Sequence, residues 1–315
     1  MTAKLSCRYF LVIAVPLFLA PLAVQASCGS AFCPLHTEWD IQGAAVEHGT
    51  RLGLRFEYID QDQPRNGKDE VAVGEIPGDH DEVRTINRNW VLSVEHAFSK
   101  SWGVSATLPV VNRSHGHIHN DLPDSEFETW NFSEIGDARV QGWYRPEQSN
   151  SGFLFGAKLP TGDSDITNDD GEVAERTLQP GTGTTDALLG AFYRIPVPGS
   201  SSTFFVQASW QHALNDHNDF EPGDQVIVDG GYRYDVSPKV ALMAQLNALT
   251  RDNDSGSEAE PDDSGGDYLF FSPGVSYTVG AMQVYGFFQL PLYQNVNGVQ
   301  LTADSAVVVG ISGRI

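Results

Sequence analysis

The stretch Phe204-Phe205-Val206-Gln207-Ala208-Ser209-Trp210-Gln211 decides the fold. Phe204, Val206, Ala208 and Trp210 alternate with Gln207, Ser209 and Gln211, a period of two that puts apolar side chains on one face of a strand and polar ones on the other. The same period recurs on both sides of this stretch. Leu52, Leu54, Phe56 and Tyr58 alternate with Arg51, Gly53, Arg55 and Glu57, and Trp90, Leu92 and Val94 with Asn89, Ser93 and Glu95. Trp102, Val104, Ala106, Leu108 and Val110 alternate with Ser105 and Thr107, Leu242 and Leu246 with Gln245 and Asn247, and Val307, Val309 and Ile311 with Ser312 and Arg314. Helical periodicity is absent from about residue 50 onward, so the chain is all-β.

Strands are predicted near 50–60, 84–97, 102–113, 134–145, 152–160, 184–195, 202–213, 223–235, 239–250, 267–278, 281–293 and 303–315, twelve in all. Short connections (99–101, 146–151, 196–201, 237–239, 279–280) alternate with long ones. The long ones hold most of the acid: Asp60 to Glu82, Asp163 to Glu175, Asp216 to Asp224 and Asp252 to Asp267. Short periplasmic turns and long acidic extracellular loops on an even number of antiparallel strands are the pattern of a transmembrane β-barrel over residues 50–315. A soluble sandwich is the competing architecture, but it gives no reason to place the acidic loops at one end only. Two places fit less well: the window 134–145 is weakly apolar, and Pro273 interrupts a strand.

The N-terminus reads as an export signal. Lys4 and Arg8 precede an apolar run from Leu11 to Val24, and Val24-Gln25-Ala26 is a small-residue cleavage site, which predicts a cleaved signal at 1–26 and bacterial outer-membrane localisation. Residues 27–49 are then expected as a periplasmic segment, with Cys28 and Cys33 joined as a disulfide in an oxidising compartment. Loss of Lys4 and Arg8 takes the formal net charge from -22 to -24, and so acidic a chain excludes nucleic acid as a partner. Outer-membrane lipid, lipopolysaccharide and a small-molecule solute are the expected partners; the oligomeric state is left open.

Three motifs carry a likeness: Glu134-Ile135-Gly136-Asp137-Ala138-Arg139, Gly156-Ala157-Lys158-Leu159-Pro160-Thr161-Gly162-Asp163, and Gly181-Thr182-Gly183-Thr184-Thr185-Asp186. In this order they resemble the outer-membrane family of phenol-degradation meta-pathway transporters, over roughly residues 85 to 315. The resemblance implies a channel-like barrel that passes small organic molecules, with no catalytic residues. No nucleophile elbow, zinc-protease helix or phosphate loop occurs in the sequence, so the chain is not expected to be an enzyme.

If apolar positions face lipid, the alternate positions face the lumen. The candidate lumen and selectivity residues are Arg55, Glu57, Glu95, Asp137, Arg139, Arg145, Asp186, Asp229 and Arg233. These charges either line a water-filled path or pair and plug a non-conducting, structural barrel. His115, His117 and His119 share one face of a strand and, with Asp121, can hold a divalent metal; the alternative is a polar loop that happens to be histidine-rich. No cofactor is required by any motif. The acidic run Asp163, Asp165, Asp169, Asp170 and Glu172 lacks EF-hand spacing and reads as a solvated loop; the alternative is a cluster that binds calcium or bridges divalent ions to lipopolysaccharide.

Overall fold

The computed structural model describes residues 26, 27, 35, 37, 42, 48–78, 80–120 and 125–315. Residues 1–25 of the predicted signal 1–26, the Cys28–Cys33 disulfide and Asp121 lie outside these residues. The wall is a closed twelve-stranded antiparallel barrel. Its strands are β1 Gly49–Asn66, β2 His80–Ala97, β3 Trp102–His119, β4 Ala138–Tyr144, β5 Ser151–Leu159 and β6 Asp186–Pro196. They continue as β7 Ser202–Ala213, β8 Gln225–Asp235, β9 Val240–Arg251, β10 Gly266–Val279, β11 Met282–Val296 and β12 Val299–Arg314. Neighbours in sequence are neighbours in the sheet, and β12 closes on β1 from Arg314 opposite Arg51 up to Val299 opposite Asn66. Closure removes the sheet edges that an open sheet would leave unpaired in lipid.

Period-two alternation becomes two surfaces. Leu54, Leu92, Phe153, Phe204, Leu246 and Val309 lie on the outside, with Phe153 59% and Leu92 48% exposed. Arg51, Glu57, Asn89, Asp229, Gln245 and Asn247 on the same strands are buried inside. An apolar outer belt on a closed barrel with a polar interior is a membrane-spanning arrangement.

Two departures from the expected strands have physical causes. The window 134–145 is not one strand: Glu126–Ile135 pairs with the outer half of β3 and β4 with its inner half, separated at Gly136-Asp137. Asp137 turns inward there to bind Lys158, which breaks the ladder. The connection between β11 and β12, expected to be long, is only Asn297-Gly298, with Gly298 at φ 54°. Here the strands run on above the belt because polar Gln294 and Gln300 find carbonyl acceptors on Ala303 and Gly265. Pro273 sits within β10, where the ladder to β11 passes over Ser272 and Pro273 and needs no N–H from the proline.

Of the stretch 27–49, expected on the periplasmic side, Leu35 and Thr37 reach into the barrel. Leu35 is buried against lumen-facing Ile59, Met243, Tyr285, Phe287 and Val308, and Thr37 Oγ1 accepts a 2.8 Å bond from Arg55 Nη1. The inner wall of β9, β11 and β12 offers an apolar patch that this segment covers, so residues of the N-terminal stretch occupy the lumen.

Candidate functional site

The barrel encloses a cavity of about 370 Å³ that runs from Arg51, Glu95 and Ser312 near the periplasmic rim to Phe220 and Arg251 at the outer end. Among the described residues, seven cationic side chains line it (Arg51, Arg55, Arg139, Arg145, Lys158, Arg176 and Arg251) against four acidic ones (Glu57, Glu95, Asp137 and Asp229). The described lining therefore carries more basic than acidic groups in a chain whose formal charge is -22, with Asp186 paired to Lys158 and Asp254 to Arg251 behind it. Trp143, Leu154, Phe192, Phe220, Leu249 and Tyr285 add an apolar wall to the same cavity.

Most of the predicted lumen residues are on this surface: Arg55, Glu57, Glu95, Asp137, Arg139, Arg145 and Asp229 all line the cavity. Asp186 lies behind it, fully buried 3.1 Å from Lys158 Nζ, and Arg233 is turned to Asp235 at 2.8 Å and is not among the lining residues. Arg51, on the polar face of the Leu52–Tyr58 alternation, lines the cavity too, whereas Lys158, Arg176 and Arg251 were missed. Lys158 and Arg251 have lumen parity in β5 and β9 and were legible on that signal; Arg176 lies in a loop, where no parity exists.

The cavity has a roof. Residues 160–185, between β5 and β6, keep the acidic tip around Asp169 and Asp170 in solvent but fold their second half into the barrel. Ala174 and Leu178 pack with Trp130 and Leu301 in a buried apolar cluster. Arg113, 2% exposed, donates from Nε to Asn87 Oδ1 at 2.7 Å and from Nη1 to the Thr177 and Leu178 carbonyls, which ties the 3-10 turn Arg176–Leu178 to β3. Trp130 Nε1 donates to Glu172 O at 3.0 Å, and Arg176 stacks 4.6 Å above the Phe220 ring. The acidic run Asp163, Asp165, Asp169, Asp170 and Glu172 is exposed, as expected of a solvated loop, and the buried part of the segment begins only at Ala174. Arg113→Ala removes charge-assisted bonds of about 1.5–3 kcal/mol. Trypsin should then cut after Arg176 at least about tenfold faster than in the wild type, read by mass spectrometry of the fragments; equal rates would mean Arg113 does not hold the roof.

The three sequence motifs meet where the roof leaves and rejoins the wall. Lys158 Nζ lies 3.0 Å from Asp137 Oδ2, 3.2 Å from Thr184 Oγ1 and 3.1 Å from Asp186 Oδ1, and also contacts Thr182 Oγ1. Asp137 accepts from the Gly162 and Thr182 backbone N–H groups at 3.1 and 3.0 Å. Thr161 Oγ1 accepts from Ala138 N at 2.9 Å and donates to Gly136 O at 2.8 Å. Gly162 and Gly181 are required by proximity: a Cβ on Gly181 would stand 2.6 Å from Gly162 O and 2.7 Å from Asp137 Oδ1.

Above the belt, beside the roof, is a histidine–carboxylate cluster. His115 and His117 do share the lumen side, buried at 3% and 5%, and His119 is half-buried. Their close partners come from elsewhere. Glu82 pairs with His117 across β2 and β3, His80 Nε2 is 2.8 Å from Glu175 Oε1 of the roof, and His115 Nε2 is 3.3 Å from His117 Nδ1. Of the three predicted histidines, His117 and His119 lie close enough to Glu128 to share an ion, His117 also groups with His80, Glu82 and Glu175, and His115 is in neither group. Burial disfavours the charged His80 ring, but the hydrogen bond and charge of Glu175, with Glu82 and Glu260, outweigh it and hold His80 up at about 10. Burial, then the Glu175 carboxylate, push Glu260 up to about 9, and burial drives His115 well below the usual histidine range.

No protein-family model matches the chain, and no curated protein matches it in sequence. Solved structures do match. An outer-membrane channel from Pseudomonas putida F1 superposes with a TM-score of 0.65 at 13% identity, covering 89% of this chain and 100% of the other. The chain has the fold of an outer-membrane barrel. A monoaromatic hydrocarbon channel (TM-score 0.47, 10% identity, 86% and 89% covered) and the Ralstonia pickettii toluene transporter (0.47, 10%, 86% and 90%) share it only in outline.

Proposed function

We propose that this protein is an outer-membrane channel for small organic solutes, with a preference for those that carry negative charge. The observation that carries the reading is the cavity lining, where cationic side chains outnumber acidic ones beside an aromatic and aliphatic wall. Its volume of about 370 Å³ falls within the range of sites for small organic ligands, roughly 300–1,000 Å³. The motif likeness to the phenol-degradation transporter family supports the organic part of the reading, and the fold it shares with the Pseudomonas putida F1 channel supports the channel part.

The test is the folded protein in planar bilayers under a potassium chloride gradient. Discrete conductance steps are expected, with a reversal potential of anion-selective sign. Benzoate should reduce the chloride current, and benzylamine of similar size should not. Folded protein that gives silent bilayers would replace this reading with a non-conducting barrel, and cation selectivity would refute the anionic preference.

A further inference from the structure

We infer that His80, Glu82, His117 and Glu175 form a binding site for a divalent transition metal of the zinc type, which fastens the roof to the barrel wall. Each of the four offers a ligand atom within 4.8 Å of the others. The measured edges are 2.8 Å from His80 Nε2 to Glu175 Oε1, 3.7 Å from His80 Nε2 to Glu82 Oε1, and 3.8 Å from His117 Nδ1 to Glu175 Oε1. Zinc bonds of 2.0–2.1 Å in a tetrahedron require edges of about 3.4 Å. These three edges bracket that value and the other three lie within 4.8 Å, so modest side-chain shifts would bring all four donors onto one ion.

The surroundings match such an ion in charge and orientation. Two carboxylates compensate the charge of a dication, and two imidazoles supply its nitrogen donors. Among the described residues, Glu175 Oε2 and Glu260 Oε2 are buried there with no hydrogen-bond donor. Glu128 Oε2 is 3.3 Å from His117 Nε2, and a carboxylate on the far nitrogen of a histidine fixes the ring with Nδ1 turned toward the cluster, where it lies 3.3 Å from His115 Nε2 and 3.8 Å from Glu175 Oε1. Nitrogen and oxygen donors in a four-coordinate set select zinc, with cobalt as its spectroscopic substitute, over calcium or magnesium, which take oxygen ligands.

The site joins two parts of the protein. His80 and Glu82 belong to β2 and His117 to β3, whereas Glu175 belongs to the roof one residue before the turn that lines the cavity. Metal binding therefore restrains the roof, and its loss frees it. This inference does not depend on the solute passing through the lumen.

The experiment is calorimetry and metal analysis on full-length folded protein without a polyhistidine tag, titrated with zinc chloride. One zinc per chain is expected, together with an intense tetrahedral absorption band on cobalt substitution. Glu175→Gln and His117→Ala should each abolish stoichiometric binding, Glu128→Gln should weaken it about 10–100-fold, and zinc should slow trypsin cleavage after Arg176 in the wild type only. Heat-modifiable migration on gels identifies variants that fold, and His80→Gln replaces either one that does not. Wild type that binds no zinc, or binds it no more tightly than a folded Glu175→Gln variant, overturns the inference.

Discussion

Lys158→Met is expected to destabilise the barrel by about 3–5 kcal/mol, because it leaves buried carboxylates without their cation. Lys158 is 3% exposed and stands 3.0 Å from Asp137 and 3.1 Å from Asp186, itself fully buried. Removing the ammonium leaves two desolvated negative charges facing each other at the point where β4, β5 and β6 lose their regular pairing. Urea unfolding followed by tryptophan fluorescence in detergent measures the cost. The triple variant Lys158→Met, Asp137→Asn, Asp186→Asn separates charge from packing: with all three charges removed it should recover most of the loss, since replacing a whole buried ion cluster by neutral groups is often close to neutral. A triple variant as unstable as Lys158→Met would show that the cation matters through its hydrogen bonds to Thr182 and Thr184 instead.

This cluster also shows which parts of the protein were legible in the sequence. Alternation over Leu52 to Glu57 or Phe204 to Gln211 fixes which side chains face lipid, because a strand has only two faces and the bilayer accepts only one kind. Lumen charges such as Arg55, Glu95 and Asp229 follow from the same parity. The three motifs were visible as strings, but not their shared purpose: Lys158 meets Asp137 and Asp186 only after strands 20 to 30 residues apart pair in register. Parity likewise put His115 and His117 inside, while the partners His80, Glu82 and Glu175 depend on long-range register and on the path of a loop. The roof was hidden because its tip is acidic and its buried half, Ala174 to Gly181, has no periodicity to read. The same holds for Leu35, a single apolar residue in an irregular segment.

Neutralising Arg51, Arg55 and Arg145 together, each to Gln, is expected to abolish the anion preference of the channel. All three line the lower part of the cavity, and their loss turns a lining of seven cations and four anions into one of four and four. Arg51 and Arg55 are each next to an acid, Glu95 at 3.8 Å and Glu57 at 2.7 Å, so both carboxylates are released toward the permeating ion at the same time. A unit charge about 8 Å from a monovalent ion in water contributes roughly 0.5 kcal/mol. Three such charges amount to about 1.5 kcal/mol before screening, near tenfold in relative occupancy, and the effect on a cation has the opposite sign. The reversal potential under a potassium chloride gradient should therefore fall to near zero or change sign, more strongly at low salt, where the Debye length is longest. The Arg→Lys triple variant keeps the charge and should keep the selectivity, which separates electrostatics from a change in bore. If the neutral variant selects anions as strongly as the wild type, the ions do not pass along this surface, and the charged interior serves to hold the barrel closed.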